Sequence, residues 1–256
     1  MDKNPTKRFS DRVKNYVKSR PTYPTQVLQV LQRDTGLTSM SIVADIGSGT
    51  GISTQLFLQN GNQVYAVEPN AEMRLAAERN LSRYPGFYSV DAIAEKTALA
   101  SQSVDYVVAA QAFHWFDRSA THPEFRRILR PRGWVVLVWN TRCIDTTPFL
   151  RGYEEILQRY GTDYKEIRHR NIEHSILLSF LGESMQCYRF PNHQLLDYEG
   201  LKGRLQSSSY TPNESHPSFQ NMMDELEQVF RQYAVNDRVS FDYETELYLA
   251  QWQHYD

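Results

Sequence analysis

The stretch Ile42-Val43-Ala44-Asp45-Ile46-Gly47-Ser48-Gly49-Thr50-Gly51 constrains this chain more than any other. An apolar run interrupted by one acid reads as a short strand, the glycines at alternate positions read as a turn, and Ile52 to Gln59 has helical character. A strand ending in alternating glycines lets a ligand approach the backbone closely, because no Cβ stands in the way and glycine accepts positive φ. A helix starting at the far side of the loop adds unpaired N–H donors and the positive end of its dipole, which favours a carboxylate or phosphate.

The spacing narrows the ligand. A dinucleotide fingerprint, G-x-G-x-x-G, needs its third glycine at position 52, where Ile52 stands. The pattern present is D-x-G-x-G-x-G, with Asp45 two residues before the first glycine. An acid there repels a pyrophosphate but accepts hydrogen bonds from an ammonium group. S-adenosylmethionine, with an α-ammonium, a carboxylate and a ribose diol, suits this loop better than NAD does. A glycine-rich βα turn without any ligand is the alternative.

Strand and helix patterns alternate through the first half. Strands are expected at 42–46, 63–67, 87–90, 104–110 and 134–139, and helices at 51–59, 71–80 and 119–129. Strands this apolar are buried on both faces, and the alternation makes the sheet parallel. Ahead of them, Phe9 to Lys18 reads as a short amphipathic helix. Arg20-Pro21-Thr22-Tyr23-Pro24 reads as a stiff extended turn, and 25–35 as a helix ended by Gly36. After Asn140 the alternation weakens: helices are expected at 148–160, 163–180, 198–207 and 217–234, with strands at 186–190 and 239–251. The expected organisation is one domain over 1–256: a helical cap (1–36), a cofactor-binding core (37–140), a substrate lid (141–216) and a closing helix and strand (217–256).

With 28 basic and 30 acidic residues the formal net charge is -2, which disfavours a nucleic-acid partner. Cys143 and Cys187 lie far apart without metal-ligand spacing, and His169 and His174 miss the H-E-x-x-H pattern, so no metal is assigned. The polar N-terminus does not read as a signal peptide and the longest late apolar stretch is too short to span a bilayer, so a cytoplasmic protein with no membrane partner is expected. Oligomeric state is not readable from the chain.

Three sets of side chains carry possible chemistry. Glu68 ends the second strand, where an acid in a nucleotide-binding α/β unit accepts both ribose hydroxyls. His114 and Trp115, within Gln111-Ala112-Phe113-His114-Trp115-Phe116-Asp117, end the fourth strand at the carboxyl edge; the imidazole suits proton transfer, or a structural role, and the aromatic faces suit a cation. Ser207-Ser208-Ser209-Tyr210 offers hydroxyls to a substrate or is a polar loop.

In order and spacing, Val43 to Gly51, then Ala66-Val67-Glu68-Pro69-Asn70 with Met73, then Ala94-Glu95 ahead of Val104-Asp105-Tyr106-Val107-Val108, resemble the successive motifs of class I S-adenosylmethionine-dependent methyltransferases. Within them, Arg20 to Pro24, Ala110 to Asp117 and Leu137-Val138-Trp139-Asn140 are similar to a small-molecule branch that includes the trans-aconitate methyltransferases. The resemblance covers 9 to about 142. It implies a doubly wound, Rossmann-like, seven-stranded α/β sheet, mostly parallel with the last strand antiparallel, plus a helical lid. It also implies that Gly47, Ser48, Gly49, Thr50, Gly51 and Asp45 hold the methionine moiety, Glu68 and Pro69 the ribose, Met73, Ile93, Ala94 and Glu95 the adenine, and Gln111 the sulfonium, with Arg20 and Tyr23 closing over the methionine end. Ile93 departs from the acid or hydroxyl residue common at its position.

The activity implied is methyl transfer from S-adenosylmethionine to a small-molecule acceptor, a carboxylate among the candidates. The candidate catalytic residues are His114, Trp115, Asn140, Arg142 (to hold an anionic acceptor) and Tyr210. The alternatives are a protein that binds S-adenosylmethionine or S-adenosylhomocysteine without catalysis, an NAD-dependent oxidoreductase, and an RNA methyltransferase, for which a basic appended module is missing.

Overall fold

A computed structural model describes residues 19–162, 164, 173–208 and 210–252. The expected helix at Phe9 to Lys18, most of 163–173 including His169, and Ser209 lie outside them. The strands are β1 (Ile42–Ile46), β2 (Gln63–Val67), β3 (Phe87–Val90), β4 (Val104–Ala110), β5 (Leu129–Arg142), β6 (Gln186–Leu196) and β7 (Val239–Gln251). The helices are α1 (Gln26–Val30), α2 (Ile52–Gln59), α3 (Ala71–Leu81), α4 (Arg118–Ile128), α5 (Pro148–Tyr160), α6 (His174–Leu181), α7 (Tyr198–Gln206) and α8 (Phe219–Tyr233).

The apolar runs form the centre of one sheet of order β3-β2-β1-β4-β5-β7-β6. β1 pairs in parallel with β2 on one side and β4 on the other, and β7 runs antiparallel to both neighbours, as expected from the resemblance. Val43 to Ile46 are buried and so is every residue of β4 except Asp105, because helices cover both faces. α1, α2 and α3 pack on one face through Val27, Phe57 and Leu81, while α4 and α6 cover the other through Phe125, Ile128 and Phe180. α5, α7 and α8 enclose a further cluster around Tyr153, Leu226 and Phe241 at the start of β7. The sheet order reverses between β1 and β4, and an open α/β sheet forms its ligand crevice at the carboxyl ends of the strands flanking such a point.

Several boundaries differ from the sequence reading for local reasons. The expected turn Pro131-Arg132-Gly133 is an irregularity inside β5: Val104 pairs with Leu129 but Tyr106 with Trp134, and Arg132 takes φ 65°. β6 continues six residues beyond Phe190 to Leu196, since Pro191 is tolerated on the sheet's edge strand. The span 141–216 therefore supplies a strand of the sheet as well as α5, α6 and α7. The helix expected at 25–35 divides into α1 and a wider π-helical turn, Leu31–Thr35, before Gly36 at φ 74°.

Gly51 caps α2 in the left-handed region at φ 88° and faces α3: a Cβ there would sit 2.5 Å from Leu81 Cδ1 and 3.3 Å from Ala77 Cβ. Expected as a cofactor residue, it stands outside the cleft lining, and its missing side chain makes room for α3. Gly51→Ala combines a strained φ with overpacking and is expected to lower unfolding free energy by about 2–4 kcal/mol, measured by urea denaturation.

Candidate active site

The glycine loop is clamped onto the end of β2. The Gly47 and Ser48 amides donate to Val67 O at 2.9 and 3.2 Å, and the Gly51 amide closes the turn on Ser48 O at 2.9 Å. Gly47 and Gly49 adopt φ of 69° and 57°. A Cβ on Gly47 would meet Ala112 Cβ at 2.6 Å, so its absence lets the end of β4 close on the loop. At Gly49 the same atom would meet only Met73 Sδ at 3.8 Å, and this residue opens to the cleft.

Glu68 ties loop and strand together. Its Oε2 accepts from the Gly49 amide at 2.9 Å and its Oε1 from the Asn70 amide at 2.8 Å. Burial pushes its carboxyl above the usual range, while these two amides pull it back. Arg74 Nη1 donates to the Glu68 carbonyl at 2.8 Å and its Nη2 reaches Asp91. Asn70 caps α3 by accepting from the Glu72 and Met73 amides, which sets the direction of Met73.

Asp45 lies wholly buried beneath the loop. Ser53 Oγ and Thr54 Oγ1 donate to its Oδ2 at 2.7 and 2.6 Å, while Oδ1 has no partner. Burial lifts its carboxyl to about 6, against the pull of the two hydroxyls. Ser48 Oγ and Thr50 Oγ1 are likewise buried without partners.

One cleft collects Tyr23, Gly47, Ser48, Gly49, Thr50, Glu68, Pro69, Met73, Ile93, Ala94, Glu95, Gln111 and Trp115 of the expected residues. Gln111 holds φ 56°, donates from its amide to Val138 O at 2.9 Å and from Nε2 to Asn140 O at 3.0 Å, so a left-handed backbone aims it where β4 ends. Glu95 accepts from the Asp117 amide at 2.8 Å, fixing the segment after Ile93 to the start of α4.

Other expected residues stand elsewhere. His114 lies outside the cleft lining, in a 3₁₀ turn (Phe113–Trp115) with its ring 4.8 Å from that of Trp115. Asn140 is a buried tie: Nδ2 donates to Thr22 O, and Oδ1 accepts from Thr245 Oγ1 and Asn192 Nδ2. Arg142, the last residue of β5, is ion-paired with Glu154, and Tyr210 packs against Tyr164 with ring centres 4.9 Å apart; neither lines the cleft. Arg20 donates to Ser207 O at 2.9 Å.

The cleft also takes in Ile52, Ser53, Asn70, Ala110, Ala112 and Phe116, which sequence reasoning missed as site residues. Asn70 was findable as a helix cap before Ala71. Phe116 was findable beside Trp115, but Ala110 and Ala112 carry no chemical signal.

Residues 44–137 match the family described as a methyltransferase domain. An uncharacterized methyltransferase-like protein of Schizosaccharomyces pombe is 27% identical over 96% of this chain and 95% of its own length. An uncharacterized methyltransferase of Mycobacterium bovis is 35% identical over 62% of each chain. A candidate type II methyltransferase from Anaeromyxobacter dehalogenans superposes with a TM-score of 0.71 at 20% identity, over 92% of this chain and 99% of that one.

The protein is a methyltransferase. Its fold and domain are those of the class I, S-adenosylmethionine-dependent kind, and the cleft of this methyltransferase suits that donor: Glu68 faces it, Gly49 leaves it open, and unpaired polar atoms on Asp45, Ser48 and Thr50 lie under its loop.

The raised Asp45 carboxyl has a sign that can be checked. The folded chain holds this proton more tightly than the unfolded chain, so the contribution is full below pH 4 and is lost as pH rises through about 6. Between pH 4 and 7, unfolding free energy of the wild type is expected to fall by up to about 3 kcal/mol relative to Asp45→Asn, measured by denaturant titration at each pH.

Proposed function

We propose that this methyltransferase acts on a small-molecule acceptor, with a carboxylate as the acceptor group to test first, in keeping with its resemblance to the trans-aconitate branch. The observation that carries the donor half of this reading is the Glu68 carboxylate, each of whose oxygens is already oriented by one backbone N–H, facing a cleft with apolar and aromatic walls.

When bound, S-adenosylmethionine supplies a methyl group that its sulfonium has already activated for displacement. The chain's own residues are left with binding and alignment. Each Glu68 oxygen keeps lone-pair capacity for one ribose hydroxyl, which fixes the sugar in rotation as well as position. Met73 and Ile93 offer apolar surface to a base, and the Gly49 backbone leaves room at the cleft for a sugar. Tyr23, Trp115 and Phe116 set aromatic faces around the inner end, where a cation is attracted to ring quadrupoles and water is displaced. Holding both partners in line can remove on the order of 7–11 kcal/mol from the barrier.

His114 is not needed as a base for a carboxylate acceptor, which is already ionised at neutral pH. We propose the helices within 141–216 as the acceptor-side wall. The near-balanced charge favours a small acceptor over a nucleic acid, and no helix among the described residues is long and apolar enough to cross a membrane. A cytoplasmic location is part of the same reading.

Two measurements test this function. Glu68→Gln is expected to weaken S-adenosylhomocysteine binding about 10- to 100-fold by calorimetric titration, the range for loss of a charged hydrogen-bond acceptor; unchanged affinity would remove Glu68 from the site. With carboxylic acids, phenols and amines screened against a labelled methyl donor, His114→Ala is expected to turn over the best acceptor within about threefold of wild type, whereas a general base would contribute about 10²–10⁴-fold.

A further inference from the structure

Beyond the cleft, on the β5–β7 side of the same sheet edge, lies a second group of buried polar side chains. Arg142, the last residue of β5, pairs in register with Tyr243 of β7. Arg204 of α7 reaches the Tyr243 hydroxyl from Nε at 2.9 Å and Ser208 Oγ from Nη1 at 3.0 Å. Its guanidinium lies 5.3 Å from the ring centre of Phe241 and 5.9 Å from that of Tyr243. Arg204 is only 5% exposed, yet no carboxylate among the described residues pairs with it.

Arg142 differs: it is ion-paired with Glu154 and donates to the Tyr164 hydroxyl at 2.7 Å, but its Nη1 is buried without a partner. The ring of Tyr153 lies 5.4 Å from Arg142 Cζ and meets the ring of Phe241 edge-on at 4.8 Å, so Arg142, Tyr153, Phe241 and Arg204 form one continuous row of contacts. The Tyr153 hydroxyl is also buried and unpartnered.

Two hydroxyls take two of the five N–H donors of the Arg204 guanidinium and none of its charge, and a buried charge is ordinarily completed by an anion. We propose that Arg204, with Arg142 Nη1 and the Tyr153 hydroxyl, seats an anionic oxygen group of the methyl acceptor, a carboxylate or a phosphate. The planar fork of arginine matches either group, and the neutral partners Tyr243 and Ser208 hold Arg204 in place without neutralising it. A hydrogen bond links the seat's helix to the cleft's rim: Arg20 bonds the carbonyl of Ser207, next to Ser208, and Tyr23, three residues on from Arg20, lines the cleft. Arg142, the anion holder expected from the sequence, contributes a free donor here rather than a free charge. This proposal rests on the small-molecule reading above and names the chemistry of the acceptor's far end.

The test uses the full chain and calorimetric titration with succinate, with inorganic phosphate and with neutral dimethyl succinate, each with and without S-adenosylhomocysteine. Wild type is expected to bind succinate or phosphate and to bind dimethyl succinate at least about tenfold more weakly. Arg204→Gln is expected to weaken the anion about tenfold or more and Arg204→Lys by less, while S-adenosylhomocysteine affinity stays unchanged. Tyr153→Phe deletes only an unpartnered hydroxyl, keeps the core, and is expected to weaken the anion a few-fold without lowering the melting temperature, so it carries the test if Arg204→Gln does not fold. Arg189→Gln, on the exposed edge strand, is the control and is expected to leave anion binding unchanged.

Succinate binding alone identifies a carboxylate seat and phosphate binding alone a phosphate seat. Equal anion binding by wild type and the Arg204 variants, equal binding of the diester, or no binding of either anion overturns the proposal. Failure of S-adenosylhomocysteine to bind wild type instead removes the donor reading, and the anion titrations still judge the seat.

Discussion

The structure depends on the way the glycine loop is fastened across the carboxyl ends of two adjacent strands. β1 enters the loop, but the loop's own amides are held by β2: Gly47 and Ser48 by the Val67 carbonyl, Gly49 by the Glu68 side chain. Parallel strands cannot supply these contacts through a tight turn, since each is followed by a crossover, so the contacts have to come from the strand ends themselves. One carboxylate placed at the end of β2 therefore serves the fold and the cleft together. Its oxygens satisfy two buried amides, and the same geometry leaves them pointing where hydroxyls can donate. The cost is the burial of two carboxyls: desolvation raises both Asp45 and Glu68, and the charge of Asp45 adds a smaller push on Glu68.

This coupling explains why the cofactor half was legible in the sequence. Alternating glycines, an acid two places ahead and another about twenty places on are requirements of backbone geometry, and backbone geometry leaves a spacing. Strands 42–46, 63–67 and 104–110 stand where their apolar runs place them because helices cover both faces, and 87–90 stands in its expected place as the part-exposed edge strand beside β2. Gly51 shows the limit of the argument: its spacing is that of a ligand glycine, but its missing side chain makes room for Leu81 of α3. Spacing identifies a position without a Cβ, and only packing says what occupies the space.

The other end of the sheet was less legible, for a physical reason. β5, β7 and β6 are joined by contacts between residues more than forty positions apart. Asn140 binds Thr22, Asn192 and Thr245 in one knot, and nothing local to Asn140 signals any of these partners. A polar residue at the carboxyl end of a central strand reads as catalytic from the sequence, and at Asn140 the side chain is a tie. The tie has consequences for the cleft all the same. By fixing Thr22 O it positions Tyr23, and by offering its carbonyl to Gln111 Nε2 it braces the strained residue at the end of β4.

The two ends also handle charge in opposite ways. Around the glycine loop the buried charges are carboxylates, Asp45 and Glu68, answered by amides and hydroxyls but by no cation in contact. Around β5 and β7 they are guanidiniums, Arg142 and Arg204, of which only Arg142 has a carboxylate partner among the described residues. On the proposed function, a donor that carries an ammonium and a sulfonium sits at the first end and an anionic acceptor at the second. Gln111 and the Arg20–Tyr23 segment lie between them. A single sheet edge thus presents negative buried charge at one end and positive at the other. A charged donor and a charged acceptor can be oriented head to head along it without either meeting a like charge.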